Sequence, residues 1–220
     1  MPKMELLYQL FEDWKTDPNA PMTDFYKDGI INEPLFESCA NGSKLLVVAK
    51  EPNARNHDQS GDKSFITEWD NKRAKYPFAR RIGEWAYGIL NNFPPYDGIS
   101  DEHRFECLRR ISFMNVKKSG GLGASPKDIY DLVLQKRRFI VREIEIIDPE
   151  IIILGLSFDA RLLNEIFGRL DWKESGYSIF VAKYREAKVI DFYHPSSRNV
   201  AAASYSLLQN VFRSDVFNNL

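Results

Sequence analysis

The chain has 220 residues, 44% of them hydrophobic and 28% charged, with 30 Lys and Arg against 31 Asp and Glu for a net charge of -1. That length suits one domain with a sizeable core, and the balanced charge excludes a long polybasic nucleic-acid tail while leaving room for a local basic patch. Two distant cysteines, Cys39 and Cys107, exclude a zinc ribbon, an iron–sulfur cluster held by this chain alone and a disulfide scaffold, and no apolar run approaches membrane-spanning length.

In chain order, Leu6, Leu7, Leu10, Phe11 and Trp14 recur at helical spacing and predict a first helix over 3–15. This acidic segment lacks the long apolar core of a signal peptide, so a reducing, cytoplasmic compartment is expected. "TDPNAPM" ends the helix, and a short helical patch around "LFESC" breaks at "NGS". "KLLVVA", 44–49, is apolar and β-branched and predicts the first buried strand. The polar loop after it, "KEPNARNHDQSGDKSF", is long enough to suggest function.

A second long helix is expected over 77–91, with Phe78, Ile82, Trp85, Ala86, Ile89 and Leu90 on one stripe, and a short one near 102–109. "RISFMNV" predicts a second strand running into the glycine-rich "KKSGGLGAS". Ser125 reads as an N-cap, with Pro126 at the first helical position, opening a helix to about Ile147. "DPEIIILGL" predicts a third strand, and Ser157 the cap of a helix that stops at Gly168. "YSIFVAKY" alternates as an edge strand or hairpin does, "AKVIDFY" predicts the fourth buried strand, and a last helix covers about 200–213.

Buried strands alternating with helices predict an α/β fold: a three-layer α/β/α sandwich on a four-stranded parallel sheet, in order 2-1-3-4. Residues 1–220 form a single domain in this reading, with 1–43 as a helical extension packed on it. Ligands in such sheets bind where the strands end. Those ends carry Lys50–Asn53, Asn115–Lys118, Gly155–Ser157 and His194–Ser197, which together hold a carboxylate, a carboxamide and an imidazole.

Each group has two readings. Glu51 either caps a turn or orients a water beside a developing cation. Asn115 either bonds neighbouring backbone or pairs bidentately with a heterocycle. His194, in "HPSS", is either a satisfied structural histidine or a donor to an oxyanion. Phe65 either anchors its loop or stacks on a flat base. "SGGLGAS" lacks the spacing of a phosphate-binding loop, although its serines and N–H groups suit a DNA phosphate.

These motifs, in this order, resemble the uracil-DNA glycosylase superfamily over roughly residues 44–212. The run Ala49-Lys50-Glu51-Pro52-Asn53 is similar to that family's first motif, with Glu51 on the water-activating position. Asn115 in "FMNV" stands where the family reads the uracil edge; "IIILGLSFDARLL" is similar to its third strand and following helix; His194-Pro195-Ser196 matches its last motif. The chain departs from the best-known members at Ala49 (Gly there), at Glu51 (Asp or Asn there) and at Asn53, where the uracil-specific branch has a tyrosine that blocks thymine's methyl.

The resemblance implies a metal-free, cofactor-free hydrolysis of the N-glycosidic bond of uracil or a related damaged base flipped out of DNA. Glu51 and His194 are its implied catalytic pair. Asn115, Phe65, Asn53 and Pro52 hold the base, and Lys117, Ser119, Ser157, Ser196, Ser197, Arg198 and Asn199 face DNA. Lys72, Arg73, Lys75, Arg80 and Arg81 either touch the DNA backbone or form a solvated helix face. DNA is the implied partner of a monomer. The alternative is a catalytically inactive nucleic-acid or nucleotide-binding module of the same fold. An unrelated α/β hydrolase ranks below both, since the chain has no Gly-x-Ser-x-Gly elbow.

Overall fold

The computed structural model describes residues 1–18, 22, 24–53, 63–71, 76–121, 125–156 and 160–220. The helices are α1 (Lys3–Lys15), α2 (Glu33–Glu37), α3 (Phe65–Asn71), α4 (Pro77–Leu90), α5 (Asp101–Arg109), α6 (Pro126–Ile147), α7 (Ala160–Phe167), α8 (Ala201–Arg213) and α9 (Asp215–Asn218). The strands are β1 (Tyr26–Lys27), β2 (Gly29–Ile30), β3 (Leu45–Ala49), β4 (Lys63–Ser64), β5 (Ser112–Asn115), β6 (Ile151–Leu154), β7 (Lys173–Glu174), β8 (Phe180–Tyr184) and β9 (Ala187–Asp191).

One mixed sheet of seven strands, in the order β2-β5-β3-β6-β9-β8-β7, carries the fold, and β1 and β4 form a small parallel pair of their own. The expectation of a four-stranded, purely parallel sheet is corrected in both strand number and sense. The four strands read from the sequence lie side by side as β5-β3-β6-β9 and run parallel. Antiparallel partners extend them at both edges: β2 beside β5, and the hairpin β9-β8 followed by β7. Both β2 and β7 are two residues long, too short for any hydrophobic period to mark.

Side chains alternate across each strand, and the alternation divides the core in two. Leu46 and Val48 of β3, with Met114, Ile152, Leu154 and Val189, pack against α1, α6 and α7. Leu45, Val47 and Ala49, with Phe113, Ile151, Ile153 and Ile190, pack against α3, α4, α5, α8 and α9. The N-terminal segment belongs to the first core: Leu7, Phe11 and Trp14 are buried there, and Trp14 stacks on Phe139 of α6 with ring centroids 5.5 Å apart. Each such side chain contributes about 1.5–3 kcal/mol by leaving water.

Local signals set the helix ends. Ser125 caps α6 reciprocally with Asp128, and Pro126 stands at its first turn. Gly168 follows α7 at φ 74, the left-handed conformation that ends helices. Among the described residues no helix is long and apolar enough to cross a membrane.

Candidate functional site

Three of the four parallel strands, β3, β5 and β9, end on a cavity of about 990 Å³, and no described residue at the end of β6 is in its wall. Its wall is built from the segment after β3 (Lys50, Glu51, Pro52, Asn53), from Asn115, from Phe65 and Glu68 of α3, from Phe78 and Arg81 of α4, and from His194 to Ser197 after β9. A volume of this size suits a small-molecule or nucleotide ligand.

Backbone pairing carries the motif after β3 to the cavity. The β3–β5 ladder continues past both strands, with Val116 N–H on Ala49 O at 3.0 Å, Lys117 N–H on Lys50 O at 2.9 Å and Gly121 N–H on Pro52 O at 3.1 Å. Asn53 bridges Gly121 in the same parallel sense. This register brings the Lys117 ammonium within 2.6 Å of Glu51 Oε2. A Cβ on Gly121 would collide with that same Oε2. The glycine at this point makes room for a carboxylate paired with lysine.

Asn115 is the last residue of β5 and is 1% exposed. Its N–H donates to Asp28 Oδ2 at 2.7 Å, but neither its Oδ1 nor its Nδ2 has a partner among the described residues. A buried amide left so costs about 1–3 kcal/mol per unsatisfied group. Of its two sequence readings, bonding to neighbouring backbone through the side chain is absent here.

His194 is half-buried, with its ring centroid 5.7 Å from that of Phe78. Burial, and then the nearby Lys50 charge, hold its pKa below the ordinary histidine value. Nδ1 accepts the Ser196 N–H at 3.1 Å, which leaves the proton of the neutral ring on Nε2. The ring can thus give one neutral hydrogen bond through Nε2.

Phe65 opens α3 right after β4 and packs against Tyr26, Trp69 and Phe113, with centroids 5.9, 5.8 and 5.2 Å away. Arg81 donates from Nη2 to the carbonyl of Asn199 at 3.0 Å, tying α4 to the loop behind His194. Its Nη1 is buried and has no partner among the described residues.

Of the residues singled out in the sequence, Glu51, Pro52, Asn53, Phe65, Asn115, His194, Ser196 and Ser197 border the one cavity. Lys117 stands behind Glu51 rather than in the wall, Ser119 is half-buried in the loop beside it, and Arg198 and Asn199 are exposed beyond Ser197. Arg80 pairs with Asp101 at 3.2 Å on the surface. Ser157, Lys72, Arg73 and Lys75 lie outside the described residues.

The sequence reading missed the aromatic wall of Tyr26, Tyr76, Phe78 and Phe113. Phe78 fits the apolar stripe of α4 and so reads as core; only its position at the first turn, next to Tyr76-Pro77, sets it apart. Among the described residues no group of three or more His, Cys, Asp or Glu is placed to hold a metal ion. No protein-family model matches the chain, and no curated protein matches it.

Proposed function

We propose that the chain is a DNA N-glycosylase, a monomer of the cytoplasm that hydrolyses the bond between the sugar and uracil, or a related damaged base, after the base is flipped into the cavity. The observation that carries this reading is the unpartnered, buried amide of Asn115 on the wall that also holds Phe65 and His194. Asn115 donates from Nδ2 to O4 and accepts N3–H at Oδ1, the pattern of uracil. Phe65 stacks on the flat ring. As the bond between C1′ and the base breaks, negative charge grows on O2, and Nε2–H of His194 donates to it. Glu51 orients the water whose oxygen bonds C1′, takes up its proton and offsets the cationic sugar.

Single-turnover incubation with oligonucleotides bearing uracil, hypoxanthine or mismatched thymine, followed by alkali cleavage at abasic sites, tests this. The uracil strand is expected to be cut. His194→Ala should slow the reaction by about 10²–10³, the usual cost of one oxyanion donor. Asn115→Asp should shift preference from uracil toward cytosine, because an acceptor then faces the exocyclic amine. No cleavage of any strand would defeat the catalytic reading.

One observation favours a second reading, a non-catalytic nucleic-acid-binding module. The Glu51 carboxylate is already held by Lys117 at 2.6 Å, so one of its oxygens is engaged by a protein cation rather than by a water. Binding of uracil-bearing strands that survives Glu51→Gln, with no cleavage by the unmodified protein, identifies that case.

A further inference from the structure

Three fully buried ionisable side chains lie directly behind Asn115. Asp28, Lys118 and Glu143 are each 0% exposed. The Lys118 ammonium donates to Asp28 Oδ1, and lies 3.0 Å from Glu143 Oε1 and 2.7 Å from Glu143 Oε2. It also sits 5.4 and 5.1 Å from the ring centroids of Phe11 and Trp14 of α1. Burial pushes the Glu143 carboxyl well above the usual carboxylate range.

Stability does not account for this arrangement. Taking several charges out of water costs several kcal/mol each, and packed apolar residues of the same volume often serve as well or better. The cluster's other contact is more informative. The β2–β5 ladder stops at Gly29↔Phe113, two residues short of Asn115. The Asn115 N–H on that edge would be an orphan in the core, and Asp28 Oδ2 takes it at 2.7 Å. Lys118 then fixes the other oxygen of the same carboxylate. The Lys118 carbonyl also accepts Tyr26 N–H at 2.7 Å, and the Tyr26 ring packs on Phe65.

We propose that Asp28, Lys118 and Glu143 are positioning residues for Asn115. The cluster holds the backbone of a residue whose side-chain amide no described group holds, and so keeps that amide in register with the flat ring of its ligand. The ligand assignment rests on the glycosylase reading above; the positioning of Asn115 does not.

The test is a double-mutant cycle in the full chain. Asp28→Asn is nearly isosteric and removes the charge that Lys118 pairs with. It is expected to lower the single-turnover rate on uracil-bearing strands by tenfold or more, and to change that rate by less than twofold in an Asn115→Ala background. A loss of equal size in both backgrounds marks a general structural role and overturns the inference. Lys118→Met serves the same cycle, with its urea midpoint recorded to show that it folds. A second readout needs no activity: the side-chain NH₂ resonances of Asn115 in the ligand-free protein should be sharp in the unmodified chain and broadened or doubled in Asp28→Asn. Unchanged resonances overturn the positioning role. Altered resonances in a protein that cleaves nothing overturn the glycosylase reading alone.

Discussion

Asn53 shows how one side chain sets the reach of the proposed chemistry. It is exposed on the cavity wall, with its backbone bridged to Gly121. The uracil-specific branch of the superfamily that the sequence resembles, from which this chain departs here, has a tyrosine that fills the space beside C5. Shape exclusion of one methyl is worth about 1–3 kcal/mol, roughly 10–200-fold. The unmodified protein should therefore excise 5-hydroxymethyluracil or mismatched thymine within that factor of uracil, and Asn53→Tyr should widen the gap, as read from matched oligonucleotides differing only at C5. Rejection of every 5-substituted base by more than that factor would mean another residue closes the wall. Asp191 sets a different property. At the end of β9, burial pushes its carboxyl up to about 6, and its buried Oδ1 has no partner among the described residues. The folded state holds this proton more tightly than the unfolded one. The favourable contribution is therefore full below the ordinary aspartate value of 3.8 and lost as pH rises through about 6. Asp191→Asn should raise stability by about 2 kcal/mol at pH 8, after allowance for solvent screening of a half-buried side chain. That gain should vanish near pH 4. Urea unfolding at the two pH values checks both the size and the sign.

At the scale of elements, α4 does the most to define the site. Its first turn places Phe78 against His194, and Arg81 one turn later holds the Asn199 carbonyl. Its far end is anchored by close packing. A Cβ on Gly88 would lie 2.7 Å from ring atoms of both Phe93 and Tyr205, the latter on α8. Alanine favours a helix over glycine by about 1 kcal/mol, whereas overpacking between rigid rings costs about 1–3 kcal/mol. Gly88→Ala should therefore destabilise by up to about 2 kcal/mol net, read as a lower urea midpoint at unchanged slope. A stabilised variant would show that the rings give way.

Over the whole molecule, two apolar cores share one sheet. Trp14 lies in the core under α1 and α6, and Trp69 and Trp85 lie in the core on the opposite face. Neither helix layer can lose its packing without exposing the apolar strands between them. Tryptophan fluorescence, which samples both cores, and far-ultraviolet circular dichroism should therefore follow a single coincident urea transition. Two separated transitions would show that the layers unfold independently. The buried charges also bridge layers, since Lys118 follows β5, Glu143 belongs to α6 and the rings around the ammonium belong to α1.

The strongest local patterns were legible in the sequence. The apolar runs at 44–49, 112–115, 151–154 and 187–191 announce the central strands, and Ser125-Pro126 announces the start of α6, because burial period and cap chemistry act over a few neighbouring residues. Glu51, Asn115 and His194 were legible as candidates because each stands at or just beyond a strand end, where an open sheet leaves a crevice. Their roles were not, because partners distant in sequence decide them. Lys117 meets Glu51 only through the register of two parallel strands, and Gly121 is a glycine because that carboxylate lies against it. The two-residue edge strands carry no period of their own and exist because longer strands offer them an edge. Asp28, Lys118 and Glu143 carry no local signal of burial; only the packing of α1 and α6 over the sheet makes them a buried cluster, since an ionisable group leaves water only where tertiary neighbours receive it.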